Sequence, residues 1–254
     1  MRQNKIGIFA DKEVGRKALS FLLEKHSEDV ALIVCTNNES KVFSEIIQPT
    51  NLCDKTFFYD DLKTPGVVDY IKSLELEYII LAWWPYILKE PILSIPLKGV
   101  INFHPSFLPY NRGKHYNFWN LIEEVPFGVT LHFVDNTIDG GDIIFQKRID
   151  TTWEDTGETL YFKAQEAMTK LFEEAYPEIK AGNYTRIKQN LNEGSFHFGK
   201  ELEGASCIKL DEKYTARELL NILRARTFAP HPGSRFEDSD GKYEVRISIE
   251  KISS

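Results

Sequence analysis

Cysteine is scarce in this chain. Cys35, Cys53 and Cys207 are the three present, odd in number and far apart. They give neither a disulfide framework nor metal-ligand spacing, so a cytoplasmic protein with reduced thiols is the expectation. No apolar run approaches the ~20 residues that a membrane-spanning helix needs, and no membrane association is expected. The first residues, MRQNKIGIFADKEVG, pass directly into a strand-like run and show no leader pattern. Positive charge is not in excess either: the formal net charge is −7. An acidic chain is poorly suited to nucleic acid, which draws on Lys and Arg to neutralise phosphates. The glycine fingerprint of a dinucleotide site is missing as well. Gly7 lies inside an apolar run and Gly15 stands alone, which argues against a nicotinamide-dependent oxidoreductase. Internal repeats and low-complexity tracts are absent.

What the chain does have is alternation. Lys5–Ala10 is a short Ile-rich run, followed by polar residues and then by Arg16–Lys25 with apolar residues at helical spacing. Val30–Thr36, Tyr78–Trp83 and Gly99–Phe103 are further continuous apolar runs, and Pro65–Leu74 has the pattern of a helix. Strands apolar on both faces belong to a parallel sheet covered on both sides. The expected class is therefore α/β, with a doubly wound, mostly parallel sheet whose ligands sit beyond the carboxyl ends of the strands. Gly128–Asp135 and Asp142–Ile149 predict two more strands, joined by the turn-rich Asn136–Gly141, and Thr156–Tyr176 predicts a long helix. After about residue 200 the texture changes. A helix is expected over Ala216–Ala225, a break at Ala229–Gly233 and an alternating strand over Lys242–Ile249. The expected division is a main domain over residues 1–204 and a small C-terminal α+β unit over 205–254.

Side chains able to do chemistry crowd into residues 101–142. Asn102 and His104 end a predicted strand and, two residues apart, point the same way. Pro105 stops that strand. A carboxamide offers N–H donors to a developing oxyanion, and an imidazole moves a proton near neutral pH. Asp139, on the turn Asp139-Gly140-Gly141, is placed to orient that histidine. Taken singly, the same residues serve equally well as a loop cap and a hairpin turn, and only their context decides.

Four blocks supply a context. Asn102-Phe103-His104-Pro105-Ser106-Phe107-Leu108-Pro109, Arg112-Gly113, Gly128-Val129-Thr130-Leu131-His132 and Asp139-Gly140-Gly141-Asp142-Ile143-Ile144 follow one another in order. Together they resemble the folate-dependent formyltransferase family over most of residues 1–200, most informatively over 79–149. The resemblance implies that Asn102 binds the formyl oxygen as it becomes negative and that His104 is an acid or electrostatic stabiliser. Asp139 would then hold His104 and help remove the proton of the attacking amine. It also implies N10-formyltetrahydrofolate as donor, with no metal. One wall of the pterin pocket would be Leu81–Leu88, with Trp84, Tyr86, Ile87 and Leu88. The other would be Val134–Gly141, with Val134 and Ile138. Asp142 stands where many members carry an acid. For at least one of Trp83 and Trp84 core packing is the better reading, and His132 is equally a structural histidine or a substrate contact.

The run Asn111-Arg112-Gly113-Lys114-His115-Tyr116-Asn117-Phe118-Trp119 resembles the sugar N-formyltransferase branch. That branch includes an enzyme acting on a pseudaminic acid precursor. The resemblance assigns Arg112, Lys114, His115 and Asn117 to the acceptor. Leu223–Gly233 is shared in outline by the tRNA and sugar branches and argues against a glycinamide ribonucleotide enzyme. Residues 205–254 hold nine Lys and Arg against eight Asp and Glu, too even a balance for a unit that grips tRNA. The expected acceptor is a UDP- or dTDP-linked amino sugar. Arg112, Lys114, Arg224 or Arg226 could hold its pyrophosphate, and Tyr116, Trp119 or Phe196 could stack on base or sugar; taken singly, each serves at least as well as a solvated charge or a core aromatic. A homodimer is expected, since many members of that branch are dimers. Two other readings stay open. A methionyl-tRNA formyltransferase-like enzyme predicts salt-dependent tRNA binding. A non-catalytic α/β ligand-binding protein has no need for Asn102, His104 and Asp139 together.

Overall fold

The computed structural model describes residues 5–252; the expected units also include residues 1–4 and 253–254, which lie outside the described residues. The chain runs β1 (Ile6–Ala10), α1 (Lys12–Lys25), β2 (Val30–Cys35), β3 (Thr56–Phe58), α2 (Pro65–Ser73), β4 (Tyr78–Ala82) and β5 (Gly99–His104). It continues through β6 (Arg112–Gly113), α3 (Tyr116–Glu123), β7 (Gly128–Phe133), β8 (Ile143–Arg148) and α4 (Gly157–Ala181). Seven of these strands form one sheet in the order β3-β2-β1-β4-β5-β7-β8. The first five are parallel, and β7 and β8 add antiparallel. This is the expected mostly parallel α/β architecture.

Every residue of β1 and β4 is buried, because helices cover both faces of the sheet. Ile8, Ile33, Ile80 and Ile101 share one core with Val14 and Leu22 of α1 and Met168 and Phe172 of α4. Their chain neighbours Phe9, Leu32, Ile79 and Val100 point the other way and meet Val68 and Ile71 of α2. Continuous apolar runs in the sequence are the direct consequence.

α4 starts as expected, with Thr156 and Thr159 forming a reciprocal cap, but it passes Pro177 and ends at Ala181. The missing proline N–H is tolerated because the buried stripe continues through Ala175, Tyr176 and Ile179. The Tyr176 hydroxyl also donates to the buried Asp29 carboxylate at 2.9 Å, and Lys180 pairs with it at 2.7 Å.

Beyond α4 come β9 (Phe196–His197), α5 (Glu201–Ala205), α6 (Ala216–Arg226), β10 (Ser234–Asp238) and β11 (Gly241–Val245). β6 and β9 form a short parallel pair, and β10 and β11 an antiparallel hairpin. The strand expected over Lys242–Ile249 is shorter and one residue earlier. Its partner β10, with Phe236 as its one large apolar residue, carries no period-2 pattern that could announce it. Phe236 instead stacks on Tyr243 across the hairpin, 5.0 Å between ring centres. α5 lies across the expected boundary at 205.

Candidate active site

Asn102 and His104 occupy one face of the end of β5, and His132 of β7 stands directly opposite Asn102 in the antiparallel register. His132 Nδ1 lies 2.8 Å from the Phe133 carbonyl oxygen, so that nitrogen carries the proton. Its bare Nε2 accepts from Asn102 Nδ2 at 3.1 Å. The bond fixes the carboxamide orientation and leaves its second N–H and its Oδ1 without a partner among the described residues. Burial, with His104 close by, pushes the His132 imidazole down to about 4, which keeps it neutral at pH 7 as the Asn102 bond requires.

That depression has a measurable consequence. The ordinary value is 6.5. Below it the unfolded chain takes up a proton that the folded chain refuses. The contribution to stability is therefore whole above pH 6.5 and is lost as pH falls from 6.5 to about 4. We expect the thermal midpoint to drop by several degrees over that interval, and to drop less in His132→Gln; calorimetry from neutral pH to pH 4 checks it.

His104 is 4% exposed. Its Nδ1 lies 3.5 Å from Asp139 Oδ1, and its Nε2 lies 3.3 Å from the Asn111 carbonyl oxygen. Asp139 sits in the β7–β8 loop in the left-handed region (φ 53°), which Asp tolerates better than most residues. The Gly113 N–H donates to its Oδ2 at 3.0 Å. Burial would push this carboxyl up; the rings of His104 and His132, the Gly113 N–H and Lys114 outweigh it and hold the carboxyl below its ordinary range. Two glycines permit the approach. Gly113 has φ +88° and lies against the His197 carbonyl, and Gly141 lies against the Phe133 carbonyl, each closer than a side chain allows.

Arg112 and Lys114 reach the edge of this group, while His115 lies among Lys114, Arg226, Glu203 and His231. The Arg112 guanidinium donates to the Leu191 carbonyl at 3.2 Å and lies within electrostatic reach of Asp139, while its Nε is buried without a partner among the described residues. Burial first, then Arg226 and Lys114, push His115 below its ordinary value. Two expected acceptor contacts are engaged elsewhere. Asn117 Nδ2 donates to the Gly157 carbonyl at 2.8 Å, fixing the start of α4. Arg224 is buried, donates to Asn221 Oδ1 at 2.9 Å and to the Thr152 carbonyl at 2.8 Å, and lies over the Trp153 ring. A helix-end arginine has the sequence signature of a free cation, but here its Nε is engaged by a side chain and its Nη1 by backbone carbonyls. Arg226 pairs with Glu203 at 2.5 Å. Tyr116 and Trp119 are core aromatics, and Phe196 packs edge-on against Phe198.

The two expected folate walls are mixed in character. Trp84 packs among Phe9, Tyr59 and Tyr86, with Nε1 buried and unpartnered, and Leu88 is buried. Tyr86 stacks on Tyr59 at 4.1 Å. Ile87 and Ile138 are exposed at 68% and 48%, far above the usual for isoleucine. Val134 packs on the second core and donates its N–H to the Val100 carbonyl at 2.8 Å. Asp142 is paired with Arg186 at 2.9 Å. Among the described residues, His26, Glu28 and Asp29 alone bring three ligand atoms within 4.8 Å, and there Lys180 already supplies the positive charge. Sequence reasoning missed Glu123, Ser195 and His197, which with Asn111 surround the back of the site; they carry no local pattern.

Residues 8–176 match the Formyl transferase family model. The chain belongs to this family. Residues 201–251 of this formyltransferase match a second model, the N-formyltransferase dimerization C-terminal domain. Among solved structures it is similar to a 4-N formyltransferase from Francisella tularensis, with 28% identity, 98% of this chain and 99% of that chain covered, and a TM-score of 0.81. It is also similar to a formyltransferase from Anoxybacillus kamchatkensis bound to UDP-4,6-dideoxy-4-formamido-L-AltNAc and tetrahydrofolate, at 26% identity, 79% and 88% coverage and a TM-score of 0.58. An N-formyltransferase from Helicobacter canadensis bound to folinic acid and dTDP-3-aminofucose shares the fold, at 22% identity, 88% and 81% coverage and a TM-score of 0.70. No helix among the described residues is long and apolar enough to cross a membrane.

Proposed function

We propose that this formyltransferase moves the formyl group of N10-formyltetrahydrofolate onto the amine of a UDP- or dTDP-linked amino sugar, giving an N-formylated sugar and tetrahydrofolate. The observation that carries the chemistry is the convergence of the Asn102 carboxamide, His104 and an ionised Asp139. Asn102, oriented by neutral His132, donates its free N–H to the formyl oxygen as that oxygen becomes negative. His104 adds electrostatic support and a proton. Asp139, held ionised, takes the proton of the attacking amine directly or through water. One C–N bond forms to the sugar amine, the bond from the formyl carbon to N10 breaks, and N10 takes up a proton.

Exposed Ile87 and Ile138, with Tyr86 and the unpartnered Trp84 Nε1, suit a flat, partly polar ring system; Leu88 and Val134 back them and Asp142 borders the loop. Arg112, Lys114 and His115 suit the acceptor side, where the unpartnered Arg112 Nε fits a phosphate oxygen. The sugar acceptor is supported by the Arg112–Trp119 run and by the ligands of the relatives. Residues 1–204 carry the transfer, and residues 205–254 join two copies as a homodimer. The free cysteines fit a cytoplasmic enzyme. A net charge of −7 and the even charge of the C-terminal unit argue against tRNA. The test is a panel of UDP- and dTDP-linked amino sugars with N10-formyltetrahydrofolate, read by product mass. Turnover of at least one sugar is expected; a panel left untouched while methionyl-tRNA is formylated overturns the acceptor.

A further inference from the structure

Behind His104, on the side away from Asp139, lies a hydrogen-bonded group that the reaction does not touch. Glu123 is the last residue of α3, where the helix dipole disfavours a carboxylate. Three donors hold it there. Its Oε2 accepts from Ser195 Oγ at 2.6 Å and from Asn111 Nδ2 at 2.7 Å, and its Oε1 lies 2.7 Å from His197 Nε2. His197 is stacked flat on Trp119, ring centres 3.8 Å apart and 7° from parallel, and its Nδ1 faces Glu201 at 3.2 Å.

The same residues grip the backbone of the loop that enters the site. Ser195 Oγ accepts from the Asn111 N–H at 3.0 Å. The Ser195 carbonyl accepts from the Arg112 N–H, and the His197 carbonyl from the Lys114 N–H, both at 3.0 Å. Between these anchors stand the two backbone groups that touch the reaction centre: the Asn111 carbonyl on His104 Nε2 and the Gly113 N–H on Asp139 Oδ2. Asn111 itself is left-handed (φ 52°), a conformation that asparagine tolerates better than most residues.

We propose that Glu123 and His197 are positioning residues for formyl transfer. They fix Asn111–Gly113 so that one carbonyl and one amide set the His104–Asp139 pair. The inference rests on the catalytic reading of that pair. Glu123 and His197 are 74 residues apart in the chain, so the unit exists only when α3 and β9 are packed.

Glu123→Leu keeps a similar volume but removes both acceptor oxygens, so Ser195 Oγ, Asn111 Nδ2 and His197 Nε2 all lose this partner. A displacement of reacting groups by about 1 Å costs up to about 100-fold. We expect kcat to fall about 10- to 100-fold, with KM for donor and acceptor within about twofold of the native values. His197→Leu, which removes the other side of the contact, should do the same. Assays well below each variant's melting midpoint remove any loss through unfolding, because a role in global stability alone restores full kcat there. The ring-nitrogen NMR resonances of His104, recorded on the free protein, report its Asn111 contact without turnover and should move in both variants. Native kcat in Glu123→Leu, or unmoved His104 resonances, overturns the inference. Turnover surviving in His104→Asn instead sinks the catalytic reading itself, so the two failures are told apart.

Discussion

His104→Asn should lose formyl transfer, with kcat down about 100- to 10,000-fold, while the protein stays folded. The imidazole is the one group between Asp139 and the Asn111 carbonyl, so its removal takes away both the proton carrier and the charge beside the oxyanion. Asparagine fits within the same volume and keeps polar atoms for the surroundings. Stability should fall by about 1–2 kcal/mol, because a buried partner is left less well paired. Single-turnover rates with the best sugar of the panel, alongside thermal melts, check the result. A variant within tenfold of the native rate would refute the assignment.

Asp139→Asn is expected to cost a comparable factor, about 100- to 10,000-fold in kcat, by a different route. The carboxamide keeps the shape, tolerates φ 53° and can still accept from the Gly113 N–H. What disappears is the negative charge facing His104 and the base that accepts the amine proton. The pH dependence follows from the direction of the shift. The native carboxyl is held below its ordinary 3.8, so its stabilising contribution is whole above that value and is lost as pH falls through the lower folded value. Asp139→Asn should therefore melt with less dependence on pH below 4 than the native enzyme, and its rate deficit should persist across neutral pH. Stopped assays at pH 6, 7 and 8 with acid-range melts test both halves, and a native rate at pH 8 rules out the base role.

The sheet was legible because parallel strands buried on both faces must be continuously apolar, and β1, β2 and β4 are, as is β5 up to Asn102. The reaction centre was legible in part. Asn102 and His104 share a face by the two-residue period of a strand, and Asp139 could be joined to them by the ordered blocks around it. The surroundings of Arg224 were not legible, because nothing local distinguishes a cation in solvent from one whose Nε faces Asn221 and whose Nη1 faces the carbonyl of Thr152. Helix α4 ran past its expected end because burial of Ile179 outweighs the proline that the sequence marks as a stop.

By itself the sequence determined the fold class, the family blocks and which residues carry reactive groups, since these follow from short periods and fixed spacings. Only the tertiary structure decided their states. Burial of His132 makes it neutral and turns it into the residue that orients Asn102. The antiparallel register of β7 against β5 sets those two opposite each other, and the packing of α3 on β9 brings Glu123 to His197. Desolvation and long-range pairing depend on what lies across space, and a linear sequence does not record that.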